Sequence, residues 1–338
     1  MSLDHRPLER LDPKMPDRHF AGVRVLVAGA AGFIGRWVAR RLSQAGADLI
    51  LPVLERSPAE EVFTRYAIRG RILELDLGSP ESVDHLLRTL KPAVLFNLAG
   101  YGVNRTERDE VRLWRLNAEL PVALARAMSE HRDAGWPGAA LIHAGSIAEY
   151  GPIGGDLAED CVARPLTLYA RTKLAGTVGL AQACRRQGLV GLTARLATVY
   201  GPGEQPGRLL PTLLGAGDGP VPLSAGVQKR DFTYVEDVAE GLLRLAVAGC
   251  APGEIVNLVT GVLTTVREFA EIAARLLGIE PSRLHFGALA IRAEEEMEHL
   301  PITNAKLRRL TGWAPPTGIS EGVARTREFL AFTSGGER

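Results

Sequence analysis

Cysteine is scarce. Cys161, Cys184 and Cys250 are the only three, odd in number and far apart. That excludes a full disulfide framework, and no two stand at CxxC or zinc-ligand spacing. The seven histidines are dispersed and form no HExxH, so no metal site is expected. An excess of charge is missing too. Forty Lys and Arg stand against 39 Asp and Glu, net +1, so no field draws nucleic acid or an anionic membrane as partner. No apolar run approaches the roughly 18 residues that cross a bilayer. Residues 1–20 mix Arg, Asp and Pro and lack the apolar core of a signal peptide. The expectation is a loose tail over 1–21 and a cytoplasmic protein.

What remains is a globular composition, 46% hydrophobic and 23% charged over 338 residues, with no internal repeat and no low-complexity linker. That length accommodates one large α/β domain with a smaller lobe. The large domain begins with Val23 to Gly35, Val-Arg-Val-Leu-Val-Ala-Gly-Ala-Ala-Gly-Phe-Ile-Gly. Aliphatic residues run into Gly29, Gly32 and Gly35, and an apolar helical pattern continues from Phe33 to about Gln44. A bare glycine spacing is weak among 37 glycines; the flanking strand and helix make it specific. The first glycine permits a sharp turn, the second lets backbone approach a pyrophosphate, and the third lets helix and strand pack. The helix N-terminus around Phe33 and Ile34 then favours an anion. The reading is a dinucleotide site, with GxxGxxG spacing rather than GxGxxG.

A second strand, Asp48 to Leu54, ends at Glu55-Arg56. An acid there binds adenosine ribose hydroxyls and favours NAD; an arginine accommodates a 2′-phosphate and favours NADP. Both are present, and Arg56 tilts the expectation to NADP(H). Arg71 to Leu77 is a short strand closed by Asp76, which suits either the adenine amino group or a cap on the helix that starts at Ser79-Pro80. Ala93 to Gly100 is the fourth strand, ending in the small residues Ala99 and Gly100 after Leu98. A long amphipathic helix is expected from Asp109 to His131, with Asn117 inside it. Further strands fall at Gly138 to Ser146, Leu189 to Leu196 and Glu254 to Val259. Strands alternating with helices imply a doubly wound parallel sheet whose ligand lies at the carboxyl ends. Gly and Pro cluster over Gly203 to Pro222, around a short helix at Leu209 to Leu214. Two more helical patterns, Thr264 to Leu277 and Gly318 to Phe332, follow. The expected division is a Rossmann domain over 22–200 and about 235–262, and a small discontinuous substrate lobe over 201–234 and about 263–334.

Tyr169-Ala-Arg-Thr-Lys173 carries the sharper chemistry, in a chain with six tyrosines and five lysines. On a helix, residues four apart share a face. A free phenol has a pKa near ~10, and a neighbouring ammonium lowers it. Tyr169 is therefore expected to exchange a proton at a sugar hydroxyl or carbonyl while hydride moves at the nicotinamide, with Lys173 holding the ribose. Ser146, at the carboxyl end of the fifth strand, can polarise the substrate oxygen, and it also fits a cap or turn. It is not a hydrolase serine, because Gly145-Ser146-Ile147 lacks the GxSxG elbow.

Together these residues resemble the extended short-chain dehydrogenase/reductase family, in its nucleotide-sugar epimerase, dehydratase and reductase branch, over about residues 22 to 332. Gly29-Ala-Ala-Gly-Phe-Ile-Gly35 resembles its cofactor loop, Asp76-Leu77 its adenine-binding acid, and Leu98-Ala99-Gly100 its fourth-strand turn. Ser146-Ile-Ala-Glu-Tyr-Gly151 resembles its catalytic hydroxyl segment, and Tyr169 with Lys173 its catalytic pair. Arg195 to Pro202 resembles the segment leading to the sugar nucleotide. Arg230 to Asp237 resembles the segment whose arginine grips the diphosphate. The resemblance implies a nucleoside-diphosphate sugar as substrate, with Ser146, Thr198, Arg208 and Arg230 as its contacts, and a homodimer built on the helices from Asp109 and around Tyr169. Two departures narrow the reaction. Dehydratases of the family carry acids just after the catalytic hydroxyl, where this chain has Ile147 and Ala148. Thr198 stands where many relatives have Asn. The Ser-x-x-Glu-Tyr-Gly form looks most like reductases of 4-keto-6-deoxy sugar nucleotides. A 4-epimerase holding NAD is the alternative within the fold, and a non-catalytic NAD(P)-binding sensor or scaffold the alternative outside enzymology.

Overall fold

The structure is a computed structural model, and it describes residues 11–103, 106–153, 156–290 and 301–334. The first half alternates strand and helix: β1 (Arg24–Ala28), α1 (Phe33–Gln44), β2 (Asp48–Val53), α2 (Arg56–Arg65), β3 (Arg71–Glu74), α3 (Pro80–Leu90) and β4 (Val94–Asn97). Then come α4 (Glu110–Trp114), a π-helical turn (Arg115–Glu119), α5 (Leu120–His131), β5 (Leu141–Ser146), α6 (Leu168–Gln187) and β6 (Gly191–Leu196). The second half holds β7 (Thr198–Tyr200), α7 (Leu209–Leu214), β8 (Val221–Leu223), β9 (Lys229–Tyr234), α8 (Val235–Val247) and β10 (Glu254–Leu258). It closes with β11 (Leu263–Thr265), α9 (Val266–Leu277), β12 (Leu284–Phe286), α10 (Ala305–Thr311) and α11 (Ile319–Ser334).

Seven strands form one parallel sheet in the order β3-β2-β1-β4-β5-β6-β10. Its central strands are continuous aliphatic runs because helices cover both faces. Trp37, Val38 and Leu42 of α1 and Val238, Leu242 and Leu245 of α8 lie in the core of one face; Leu86, Leu124 and Leu180 of α3, α5 and α6 lie in that of the other. β1 has β2 on one side and β4 on the other, so the strand order reverses there and a crevice opens at their carboxyl ends.

The smaller lobe joins β11-β9-β7 to the β12-β8 pair and packs α7 and α9 over an aromatic cluster. Phe232 stacks on Phe269 at 4.4 Å, and Tyr200 meets Phe269 edge-on at 5.1 Å. Trp37 Nε1 of α1 donates to the Pro202 carbonyl at 2.9 Å, which ties the loop entering this lobe to the cofactor side of the sheet. No helix among the described residues is long and apolar enough to cross a membrane.

Two expectations are corrected. The loose tail does not extend to residue 21. Phe20 is fully buried and stacks on Trp136 at 5.1 Å, Asp17 pairs with Arg41 at 2.6 Å, and Arg244 donates to the Pro13 carbonyl at 2.9 Å. One buried aromatic side chain and these two polar contacts anchor the segment. Residues 1–10 lie outside the described residues. The long helix from Asp109 is also interrupted, at Arg115–Glu119, where one wider turn separates α4 from α5.

Candidate active site

The crevice is shaped by glycine. Gly29 has φ +79°, and a Cβ on it would stand 2.7 Å from the Ala99 amide nitrogen and the Leu98 carbonyl carbon. Gly32 is the N-cap of α1 and offers no capping side chain, so the first-turn N–H groups around Phe33 and Ile34 have no such partner. A Cβ on Gly35 would stand 2.0 Å from the Gly29 carbonyl oxygen. Strand, turn and helix thus close to a separation that admits only hydrogen at these positions, and the helix dipole faces the opening. That cradle fits the pyrophosphate of a dinucleotide. Leu98 N donates to the Ala28 carbonyl at 3.0 Å, which sets the end of β4 beside the glycine turn, with Leu98, Ala99 and exposed Gly100 along the crevice.

At the far end of the crevice, Glu55 and Arg56 open α2, and Glu55 is its N-cap without a side-chain cap bond. The Arg56 guanidinium, about half exposed, donates to the Ile72 carbonyl at 2.9 Å and to Glu60 at 3.2 Å. Asp76 follows β3 and accepts from Gly78 N at 2.8 Å, while Leu77 is buried. Ser79, not Asp76, caps α3, accepting from Ser82 N. The capping alternative for Asp76 is therefore excluded, and its carboxylate remains exposed on the strand-end loop.

The second centre is the corner between β5 and α6. Tyr169 and Lys173 lie one turn apart on α6, as the spacing requires. Tyr169 is half-buried, with Ser146 close enough to act on its hydroxyl. The Ser146 hydroxyl also accepts from Ala148 N at 3.2 Å, capping a 3-10 turn at Ile147–Glu149. The cap reading of the serine is therefore met, and it leaves the hydroxyl at the carboxyl end of β5. Lys173 is buried, and its Nζ donates to the Ala144 carbonyl at 2.5 Å.

The acidified phenol that the spacing predicts is not found. Burial pushes the Tyr169 phenol up to about 12, opposed by the Ser146 hydrogen bond. Burial also takes Lys173 down to about 8, opposed by the Glu149 carboxylate. Loss of solvent outweighs the benefit that the i, i+4 spacing promises, since each charged form is disfavoured away from water. Arg208 draws the phenol down, while Glu107 joins Glu149 in pushing it up.

Several residues here make contacts that the sequence did not assign to them. Glu149 is fully buried. Its Oε1 accepts from Ser146 N at 2.8 Å and from Thr177 Oγ1 at 3.1 Å, and its Oε2 accepts from Arg195 Nε at 2.9 Å. The Ser146-x-x-Glu149 spacing is a capping box, and that signal was present in the sequence. Arg195 lies over the Tyr150 ring at 4.4 Å. Asn117, in the π turn, accepts from Tyr101 N at 3.0 Å and donates to Thr172 Oγ1 at 3.1 Å. His143 is buried on β5 and hydrogen-bonds Asn97; burial, then the nearby Lys173, holds its pKa well below the usual imidazole range, so it is neutral.

The outer residues surround this corner less tightly. Arg208 is the N-cap of α7 and faces Glu204 at 3.6 Å. Thr198 opens β7 in register with Phe232 of β9, two positions beyond Arg230. Arg230 donates to the Lys229 carbonyl at 2.8 Å. Of these, Arg208 is the one whose charge reaches Tyr169.

Residues 25–258 match the model of the NAD dependent epimerase/dehydratase family. The chain is 30% identical to a dTDP-6-deoxy-L-talose 4-dehydrogenase (NAD(P)(+)) of Kitasatospora kifunensis, over 90% of this chain and 95% of that one. It is 29% identical to a UDP-glucose 4-epimerase of Mycolicibacterium smegmatis, over 91% of this chain and 98% of that one. In fold it is similar to the epimerase Mth375 of Methanothermobacter thermautotrophicus, with a TM-score of 0.83, 23% identity and 98% of each chain covered.

Proposed function

Because the chain belongs to the NAD-dependent epimerase/dehydratase family, whose members are NAD(P)-dependent enzymes on nucleotide sugars, we propose that it reduces the 4-keto group of a nucleotide-linked sugar. The non-catalytic alternative falls with that membership. A nicotinamide cofactor held in the glycine crevice would supply the hydride. Tyr169 donates the proton to the developing alkoxide oxygen, and Ser146, beside it at the end of β5, holds that oxygen in line. Lys173 binds ribose hydroxyls and replaces its Ala144 contact when it does so. Arg208 and Arg230 take the diphosphate, each as a fork of donors against phosphate oxygens.

The observation that carries this reading is the placement of Tyr169 one turn from Lys173 on α6, at the corner with Ser146 at the end of β5. A reductase starts with a proton to give, and burial pushes the Tyr169 phenol in the direction that keeps it. An epimerase starts by removing a proton from a hydroxyl. Ile147 and Ala148, apolar where a dehydratase needs acids, argue against elimination of water. Arg56 favours NADP(H), in exchange for its present bonds to Ile72 and Glu60. Exposed Val111, Trp114 and Val178, on α4 and α6, support a homodimer through that face.

The test is stoichiometry. Purified protein given NADPH and a dTDP- or UDP-linked 4-keto-6-deoxy sugar should consume cofactor mole for mole, and Tyr169→Phe should slow this by about 10³-fold. Interconversion of UDP-glucose and UDP-galactose with bound NAD and no net consumption would establish the epimerase instead. The 29% relative supports that second reading.

A further inference from the structure

Tyr169, Lys173 and Thr177 stand four residues apart on α6 and so present one face. Glu149 binds that face. Its carboxylate accepts from the Thr177 hydroxyl at 3.1 Å and, through the same oxygen, from the backbone of Ser146 at 2.8 Å. Lys173 Nζ on the same face reaches the Ala144 carbonyl, two residues before Ser146, at 2.5 Å, and Ser146 lies close enough to Tyr169 to act on its proton. Space for the carboxylate is reserved by Gly145, where a Cβ would stand 2.8 Å from Glu149 Oε1 and 2.6 Å from the Thr193 methyl. The other oxygen is held by Arg195, whose guanidinium is committed to the Tyr150 ring and the Glu159 carbonyl as well. A fully buried negative charge is thus fixed from β5, α6 and β6 at the back of the proton-transfer pair.

We propose that Glu149 is a positioning residue of the reaction, whose carboxylate keeps the transferable proton on Tyr169 and the charge on Lys173. The inference rests on the reading of Tyr169 and Lys173 as the reacting pair. Losing a proton from Tyr169 creates a second anion beside the first; losing one from Lys173 removes a cation that the carboxylate attracts. Both losses are opposed in a medium of low dielectric. Glu149 acts in that direction on each of the two groups. Of the charged or titratable groups facing the pair among the described residues, Glu149 is the one that acts on both members. Arg208, before α7, favours proton loss from Tyr169, and Glu107, before α4, is a further and smaller opponent of it. His143 of β5 is neutral beneath Lys173. A dehydratase uses an acid in this turn as a base. Here the acid is one residue further on, turned inward, and sets the resting protonation of the site for donation.

Glu149→Gln separates charge from shape, because the carboxamide oxygen still accepts from Ser146 N and Thr177. Ultraviolet difference absorbance after rapid pH jumps reads phenolate formation, and subtraction of the matching Tyr169→Phe protein isolates Tyr169. The expected midpoint is about one pH unit or more lower in Glu149→Gln, and Glu149→Asp should restore it. If the unpaired Arg195 prevents Glu149→Gln from folding, Glu149→Gln with Arg195→Gln removes both charges and should show the same fall. An unchanged Tyr169 midpoint in the folded variants would overturn the proposal and leave Glu149 a cap. The titration needs neither substrate nor cofactor. Its failure is therefore distinct from failure of the reductase reading, which Tyr169→Phe turnover decides.

Discussion

The two halves of the candidate site are built by opposite means. The cofactor crevice is made of backbone: Gly29 and Gly35 leave no room for a methyl group, Gly32 leaves little, and the helix end supplies the charge complement. The reaction corner is made of buried side-chain charge: Glu149 against Arg195, with Lys173 and Tyr169 beside them and little water. One half tolerates no change of shape. The other should tolerate isosteric change and respond to charge. Steric sites announce themselves in local sequence, and electrostatic ones are assembled from distant segments.

That contrast can be broken at Gly35. Gly35→Ala places a methyl 2.0 Å from the Gly29 carbonyl oxygen and should cost about 3 kcal/mol by urea unfolding, with cofactor binding lost in parallel. Gly32→Ala meets that oxygen at 3.1 Å and should cost about 1 kcal/mol or less. Equal effects would mean the crevice is not set by close approach.

Glu204 sharpens the electrostatic side. Its enclosed carboxyl is pushed by burial from 4.5 up to about 7, against the pull of Arg208. Between those values the folded state keeps a proton that the unfolded chain releases, so stability falls as pH rises through that window. Glu204→Gln should flatten the fall, with a relative gain on the order of 2 kcal/mol by pH 8 in urea midpoints. A slope equal to that of the wild type would show that Glu204 is solvated. The smallest effect is expected at Arg56, where Arg56→Ala should lower the preference for NADPH over NADH about tenfold in kcat/KM, near 1.4 kcal/mol. No change would assign the specificity to Glu55.

The fold was largely legible because its signals are local. Phe33 to Gln44 reads as a helix at the observed bounds, and Leu209–Leu214 does likewise. Tyr169 and Lys173 were legible by i, i+4 spacing. The failures share a cause. Arg195 is 46 residues from Glu149, and only folding makes one the counter-ion of the other. The phenol's raised pKa depends on burial, which spacing does not report. Phe20 shows the same limit, since its partner Trp136 is far along the chain.

The wide turn at Arg115–Glu119 has a consequence for chain length. A π turn holds one residue more than the regular coil and absorbs that surplus, so the helix beyond it keeps its phase. Here the Asn117 carbonyl oxygen sits against α6, 2.0 Å from where a Gly176 methyl would lie. Deleting one residue between Trp114 and Leu120 would close the turn into regular coil and draw that bulged backbone away from α6. Leu124 and Met128 would keep the face they now fill. What looks like an irregularity is a local bulge that carries a backbone contact across to the neighbouring helix, and its loss would be felt there rather than along α5.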